Sequence, residues 1–366
     1  MVRDPMAMNE EVYRRLAGHL DRLPDGLPPS ETGAELRLLQ HLFTPQEAEL
    51  AVHLSLDREE ASAIAERAGL PLAEVEPRLR EMADKGLIFT TRTTRGDARY
   101  QALPFVVGIY EFQVNRLTGD FLKLLGDYWS TIRPGPRPRT IPQMRTIPIG
   151  RSIEARLEAL PYEQAAGIVD TNTQYAVAPC ICRRTAKMAG GGCDAPEESC
   201  LVFGEFADYY VQSGRARAID RDEVMAILAR ADSANLVLQP SNSRDGVFIC
   251  CCCGCCCGVL RGLQRHPRPA EAVASAFTTE LEPDACQGCL VCLARCQMRA
   301  LTRAGDRVAL NADWCIGCGL CVSTCPGGAL RLVRRPVGER TLPPPTMHET
   351  WRIIARAQTE AAGPGS

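Results

Sequence analysis

The chain has 366 residues, a net charge of −2 and only 5% aromatic residues. That length suits two or three domains with cores of their own, and the near-neutral balance leaves no global field to recruit nucleic acid or a membrane surface. The outlier is cysteine, with 19 residues. The opening MVRDPMAMNEEVYRRL is charged and has no apolar signal segment, and no run approaches the ~18 apolar residues of a membrane span. The cysteines are therefore expected to be metal ligands in a reducing cytoplasm rather than disulfides. The histidines (19, 41, 53, 266 and 348) are scattered and expected at surface or packing positions.

Residues 1–33 read as an arm, with an amphipathic helix from about Asn9 to Leu23 and then the loop LPDGLPPSETG. Residues 34–103 follow as a helix from Ala34 to Leu42, a second opened by Pro45 after the cap Thr44, and a third over REEASAIAERAG. Asp57 is the expected cap of the third helix, with Glu60 at the capping-box position and Gly69 at the turn. A fourth helix runs from Leu72 to Lys85 and stops at Gly86. Two strands, Leu87–Thr94 and Arg99–Leu103, are joined at Arg95-Gly96-Asp97. This order resembles the winged-helix domains of small bacterial transcription regulators, in which the fourth helix would be the one that reads DNA. Here Glu74, Glu76, Glu81 and Asp84 offset Arg78, Arg80 and Lys85, so the helix offers no surplus positive charge to phosphates. DNA binding is possible, with Arg92, Arg95 and Arg99 on the wing, but a docking or dimerisation module is favoured.

Residues 104–178 form a connecting region. PFVVGIY reads as an apolar strand, and Phe112 to Trp129 has helical period. RPGPRPRTIPQMRTIPIG is too rich in proline for a helix and is expected to cross the surface extended, with solvated arginines. A short helix from Pro161 to Asp170 follows.

Residues 179–276 read as a cysteine-rich, metal-binding α+β domain. PCICRR supplies Cys180 and Cys182, expected on one side of an extended segment. Cys193 follows the glycine triplet 190–192, and Cys200 comes next. A helix is expected over Leu201–Ser213, another after the cap Asp220, and a strand in NLVLQP. ICCCCGCCCG then brings seven cysteines at 250–253 and 255–257. Cysteine packs as a small hydrophobe, yet seven thiols in eight positions exceed what packing explains and invite oxidation unless metal-bound. Adjacent cysteines point in different directions, so not all can serve one centre. At least one further centre, iron–sulfur or another metal, is expected from Cys180, Cys182, Cys193, Cys200, Cys250, Cys252, Cys253, Cys255, Cys256 and Cys257. No GxxxxGK[ST] or GxGxxG occurs, so nucleotide chemistry is not expected.

Residues 277–336 carry the most specific pattern. Cysteines stand at 286, 289, 292 and 296, and again at 315, 318, 321 and 325, with Pro326 after the last. This is C-x2-C-x2-C-x3-C written twice. Three thiolates two residues apart in a curled loop converge on one centre, while the fourth faces away toward the other. Cys286, Cys289, Cys292 and Cys325 are thus expected to hold one [4Fe–4S] cluster, and Cys315, Cys318, Cys321 and Cys296 a second. Paired zinc sites are the alternative, since CxxC pairs also serve zinc. Gly288, Gly317 and Gly319 suit tightly wrapped loops. Ile316, Leu290, Val291 and Leu320 are expected as a hydrophobic shell. Phe277–Leu281 and Ala329–Val333 are candidate paired strands, with Val308–Leu310 between the motifs. The segment resembles bacterial two-cluster ferredoxin domains, except that Gln297 stands where the first motif would usually carry proline. More broadly, PCICR, GGGC and ICCCCGCCCG ahead of this segment make residues 175–335 similar to uncharacterised 4Fe–4S binding proteins of anaerobic bacteria.

Residues 337–366 hold Pro343–Pro345 and a closing helix from about Met347 to Thr359, with Trp351 and Ile354 on its apolar face. The fold class expected is thus α+β and multidomain: a winged helix-turn-helix, a cysteine-rich α+β domain and a ferredoxin-like dicluster domain. The expected role is one-electron transfer through two [4Fe–4S] clusters and a further metal centre, to or from a partner protein or subunit. The alternatives are an iron–sulfur redox sensor that binds DNA, or a reductase with substrate at the extra centre. No general base or nucleophile is visible to support catalysis.

Overall fold

Apolar residues at helical spacing bury one face of each N-terminal helix, and alternating apolar residues build a sheet further on. In this computed structural model, residues 5–92, 96–132, 141–154, 157–340 and 342–362 are described. Helices and strands are mixed in an α+β arrangement. The chain separates into two units, residues 1–140 with 351–366, and residues 141–350. Among the described residues no helix is long and apolar enough to cross a membrane.

In the first unit α1 (Pro5–Asp21) buries Tyr13, Leu16 and Leu20, and the Tyr13 hydroxyl donates to the Phe43 carbonyl at 2.7 Å. α2 (Ala34–Leu42) is followed by α3 (Pro45–Ala51), which Thr44 caps reciprocally with Glu47. α4 (Ala61–Ala68) ends at Gly69 and α5 (Leu72–Lys85) at Gly86, both in the left-handed conformation that closes helices. β1 (Phe89–Arg92) and β2 (Ala98–Gln101) pair antiparallel.

Three expectations fail locally here. Asp57 does not cap α4. Glu59 instead exchanges backbone hydrogen bonds with Tyr100, at 2.9 and 2.8 Å, so the chain stays extended against β2 and the helix begins only at Ala61. PFVVGIY is not a strand. Val107 takes a left-handed conformation, and the N–H groups of Ile109 and Tyr110 return to the carbonyls of Pro104 and Phe105, making a wide buried turn. The following helix, α6 (Gly119–Thr131), starts later than Phe112 because the Thr118 side chain caps it, accepting from the Phe121 N–H. Arg95 and the proline-rich residues 133–140 lie outside the described residues.

The second unit begins with an extended stretch along the sheet it serves: the Ile147 N–H donates to Leu238 at 3.2 Å. Arg145 in this stretch is buried rather than solvated. Its guanidinium donates to the carbonyls of Ser241 (2.9 Å) and Tyr162 (2.6 Å), and burial pushes its pKa down to about 10. α7 (Ala165–Asp170) leads into β3 (Tyr175–Pro179), α8 (Ile181–Met188), β4 (Glu198–Phe203), α9 (Gly204–Gln212), β5 (Arg217–Ile219), α10 (Arg221–Ser233), β6 (Val237–Pro240) and β7 (Phe248–Cys252). The strands form one antiparallel sheet in the order β5-β3-β4-β7-β6. Asp220 caps α10 by accepting from the Glu223 N–H at 2.8 Å. The helix expected from Leu201 begins at Gly204, because Leu201–Phe203 complete β4.

α11 (Gly258–Leu263) and α12 (Pro269–Ala272) connect to β8 (Phe277–Leu281), α13 (Val291–Arg295), the hairpin β9 (Leu301–Ala304)–β10 (Arg307–Leu310), and β11 (Leu330–Arg334), which pairs antiparallel with β8. α14 (Met347–Ala362) closes the chain and buries Trp351 and Ile354. Charge fastens the 277–334 segment to the sheet layer. Arg295 on α13 donates to the carboxylate (2.6 Å) and the backbone carbonyl (2.8 Å) of Asp232 on α10, and both side chains are nearly buried. Arg334 grips Glu163 with both terminal nitrogens. Removing one partner of such a pair strands the other charge away from water. Asp232→Ala is therefore expected to cost about 3 kcal/mol of stability, read as a lower urea midpoint, with Asp232→Asn intermediate. A midpoint unchanged in both variants would show that the pair holds nothing.

Candidate metal centres

The two motif loops converge crosswise. Cys286, Cys289, Cys292 and Cys325 line one cavity with Leu281, Leu290, Val308 and Leu330. Burial pushes the Cys292 thiol up, and the neighbours that push it further are Cys289, Cys325 and Cys286. Cys318 is likewise pushed up by burial and then by Cys321, Cys296 and Cys315. Cys325 of the second loop thus joins three cysteines of the first, and Cys296 of the first loop lies near Cys318 of the second. Backbone geometry makes this possible: Gly288, Gly317 and Gly319 all take positive φ, between 68° and 72°. A Cβ on Gly317 would overlap the carbonyl oxygen of Phe277. The Ala300 N–H donates to the Cys296 sulfur at 3.2 Å, a contact of the kind that steadies a ligating thiolate.

The two groups differ in exposure. Cys315 and Cys321 are buried, whereas Cys289 is exposed. Ile316 and Leu320 join the core beneath the sheet, with Cys296 and Cys318 packed against it. Leu290 packs in the smaller core of the 277–334 segment, but Val291 is exposed and lines no shell. It opens α13 on the solvent side.

In the cysteine-rich sheet, the alternation of β7 sorts the run. Cys250 and Cys252 share a face with Cys200, which is paired to Cys250 across β4, and with Gln239, paired to it across β6. Cys251 points the other way, buried, with its thiol pushed up by burial. PCIC is not extended. The chain leaves β3 at Pro179, the N–H groups of Arg183 and Arg184 return to the Cys180 carbonyl, and Cys182 falls in the first turn of α8. The two sulfurs still meet: a hydrogen bond with Cys182, and then the charge of Arg183, bring Cys180 down to about 7. Cys252 is held well below its ordinary value by hydrogen bonds with Cys250 and Cys257, and the Gln239 amide donates to the Cys257 sulfur at 3.6 Å. Cys180, Cys182, Cys200, Cys250, Cys252 and Cys257 therefore form one neighbourhood.

A separate quartet closes beside it. Cys193, Cys253, Cys255 and Cys256 have all four sulfurs within 4.8 Å of one another. Between the two groups lies Arg183, wholly buried. It donates to the carbonyls of Pro196 (2.7 Å) and Cys251 (2.6 Å) and to the Ser199 hydroxyl. Burial opposes its charge, but Cys180, Cys253 and Cys252 outweigh burial and hold the guanidinium protonated. Sequence reasoning passed over Arg183, although it stands next to Cys182.

It also left Gln297 unexplained. The Gln297 side chain accepts from the Gly254 N–H at 2.7 Å, and its carbonyl accepts from the Gln264 amide at 2.8 Å. The residue that replaces the usual proline fastens the motif loop to the cysteine turn.

Residues 308–331 match the family model described as a 4Fe-4S binding domain. That match and the clustered cysteines together support an iron–sulfur protein. Comparison with curated proteins and with solved structures gave no match.

Gln297→Pro restores the usual motif residue but removes the acceptor for a half-buried N–H, at a cost of about 1 kcal/mol. The variant is expected to bind iron yet lose its colour faster in air than the parent. Equal bleaching rates would sever the link between this bond and the stability of the site.

Proposed function

We propose that this iron–sulfur protein carries single electrons through two [4Fe–4S] clusters, one held by Cys286, Cys289, Cys292 and Cys325 and the other by Cys315, Cys318, Cys321 and Cys296. The observation that carries the reading is the cavity in which Cys325 of one loop joins Cys286, Cys289 and Cys292 of the other, between loops whose glycines have the left-handed turns that wrapping requires. When bound, such clusters supply one-electron transfer at potentials set by hydrogen bonds and solvent exposure. The chain's residues divide the work. The exposed Cys289 and Val291 put the first group at the surface, where a redox partner docks. The second group packs on the core it shares with the 253–257 turn. A further centre draws on Cys180, Cys182, Cys200, Cys250, Cys252 and Cys257, where Arg183 supplies the countercharge an anionic cluster needs.

The N-terminal unit fits a winged-helix docking module better than a DNA reader. Arg80 on α5 pairs with Glu76, and Lys85 pairs with Glu81 (2.6 Å) and Glu47 (2.7 Å), so these cations are already engaged. Low-salt gel shifts with duplex DNA are expected to show only weak, sequence-independent retention. A sequence-specific shift that depends on the clusters would favour the sensor reading.

Anaerobic iron and sulfide analysis with electron paramagnetic resonance tests the main proposal. The full chain is expected to hold more than the roughly eight irons of two cubes, and Cys292→Ser to lose about four of them. A colourless protein would overturn the electron-transfer reading. Iron stopping at about eight would remove the further iron–sulfur centre.

A further inference from the structure

The quartet Cys193, Cys253, Cys255 and Cys256 is packed more tightly than an iron–sulfur cube permits. Its sulfurs stand 3.7 Å (Cys193–Cys253), 3.8 Å (Cys193–Cys256) and 3.6 Å (Cys255–Cys256) apart. A metal–thiolate bond of about 2.3 Å in tetrahedral geometry spaces its sulfurs about 3.8 Å apart. In a four-iron cube each thiolate sits on a different metal, so the metal–metal separation is added and the thiolates spread further. We infer that these four cysteines form a separate site for one tetrahedrally held divalent ion, zinc or ferrous iron, distinct from every cluster-binding group in the chain.

The surroundings are built for a fixed ion. Cys253-Gly254-Cys255-Cys256 is a tight turn closed by the Cys257 N–H on the Cys253 carbonyl at 3.2 Å. It is seated against Gln297, and a Cβ on Gly254 would stand 2.7 Å from the Gln297 carbonyl oxygen. Cys193 arrives from the end of α8. Gly190 and Gly192 take left-handed conformations, and the Gly191 N–H returns to the Ala186 carbonyl at 2.9 Å, which turns the chain back toward the sheet. The glycine triplet is thus a helix stop that delivers a ligand. The Ala195 N–H hydrogen-bonds the Cys193 sulfur, as backbone donors do around metal thiolates. Four thiolates around a divalent ion leave two negative charges, and the buried Arg183 beside Cys253 offsets one of them. The ion staples the loop after α8 to the turn after β7, and four protein ligands leave it no open position for substrate.

Elemental analysis and X-ray absorption on the anaerobically purified full chain test this without any variant. The expected result is one zinc per chain, with four sulfurs at about 2.3 Å and no metal–metal scattering at the zinc edge. If the ion is iron, oxidation instead yields an isolated high-spin ferric signal, separate from those of the clusters. Cys255→Ser with Cys193→Ser should remove that single ion and leave the cluster signals in place. Loss of about four irons together with sulfide would show a cube here, and loss of no metal would show packed free thiols; either overturns the inference. The outcome is independent of the electron-transfer reading, since a colourless chain that retains the tetrathiolate ion would sink that reading alone.

Discussion

A guanidinium with no water around it dictates how the cysteine-rich half is arranged. Arg183 is fully buried, and the groups that sustain its charge are thiols from three directions: the β3–α8 junction, strand β7 and the turn after it. A buried charge is tolerable only with a compensating partner close by. Its hydrogen bonds to two carbonyls and a hydroxyl fix its position, but they do not neutralise it. Sulfur held as thiolate does. The same arginine therefore serves two thiol groups and offsets one anion among them, while neighbouring sulfurs and burial push the Cys250 and Cys257 thiols up, and burial and neighbouring sulfurs that of Cys256.

The segment carrying the repeated motif is tied to that sheet at points where one side supplies a charge or an amide and the other a backbone group. Arg295 reaches Asp232, Asn235 donates to the Ala294 carbonyl at 2.8 Å, and Gln297 accepts from Gly254. The Ile149 N–H adds a bond to the Cys318 carbonyl at 3.1 Å, and within the segment Arg335 donates to the Cys315 carbonyl at 2.8 Å. Each bond ends within three residues of a cysteine. Fastening the loops there restricts motion at the sulfurs themselves, which is what a site with preorganised ligands needs.

Much of this could be read from the residues. Thr44, Asp220, Gly69 and Gly86 announce helix ends by chemistry that acts within four residues, and the helices end there. The spacing of the motif cysteines also acts locally, and Cys325 joins the cavity of Cys286, Cys289 and Cys292. Some of what escaped was local, as at the Thr118 cap and the turn after Pro104, but the rest was decided at long range. Glu59 bridges to β2 because Tyr100, 41 residues on, exchanges two backbone hydrogen bonds with it. Arg145 is buried because Ser241 and Tyr162 supply its acceptors. The ten candidate cysteines could not be divided into a quartet and a group of six, since Cys193 joins Cys253 only through the turn of the glycine triplet and the pairing of β4 with β7.

The two copies of the motif have diverged where their surroundings differ. In the second copy Gly319 takes a left-handed conformation with its α-carbon against Ser152, whose side chain would overlap any Cβ there. Only glycine meets both demands. The matching residue of the first copy is Leu290, which has the same left-handed backbone at φ 59°. A leucine pays about 1–2 kcal/mol for that conformation, and its side chain offsets part of it by packing against the small core of Cys292, Leu301, Val308 and Leu330. The first loop can carry a side chain here because it has space beside its backbone. The second cannot, because Ser152 closes in on it. One copy has become a loop pressed into the protein, and the other a loop with an exposed cysteine at its edge.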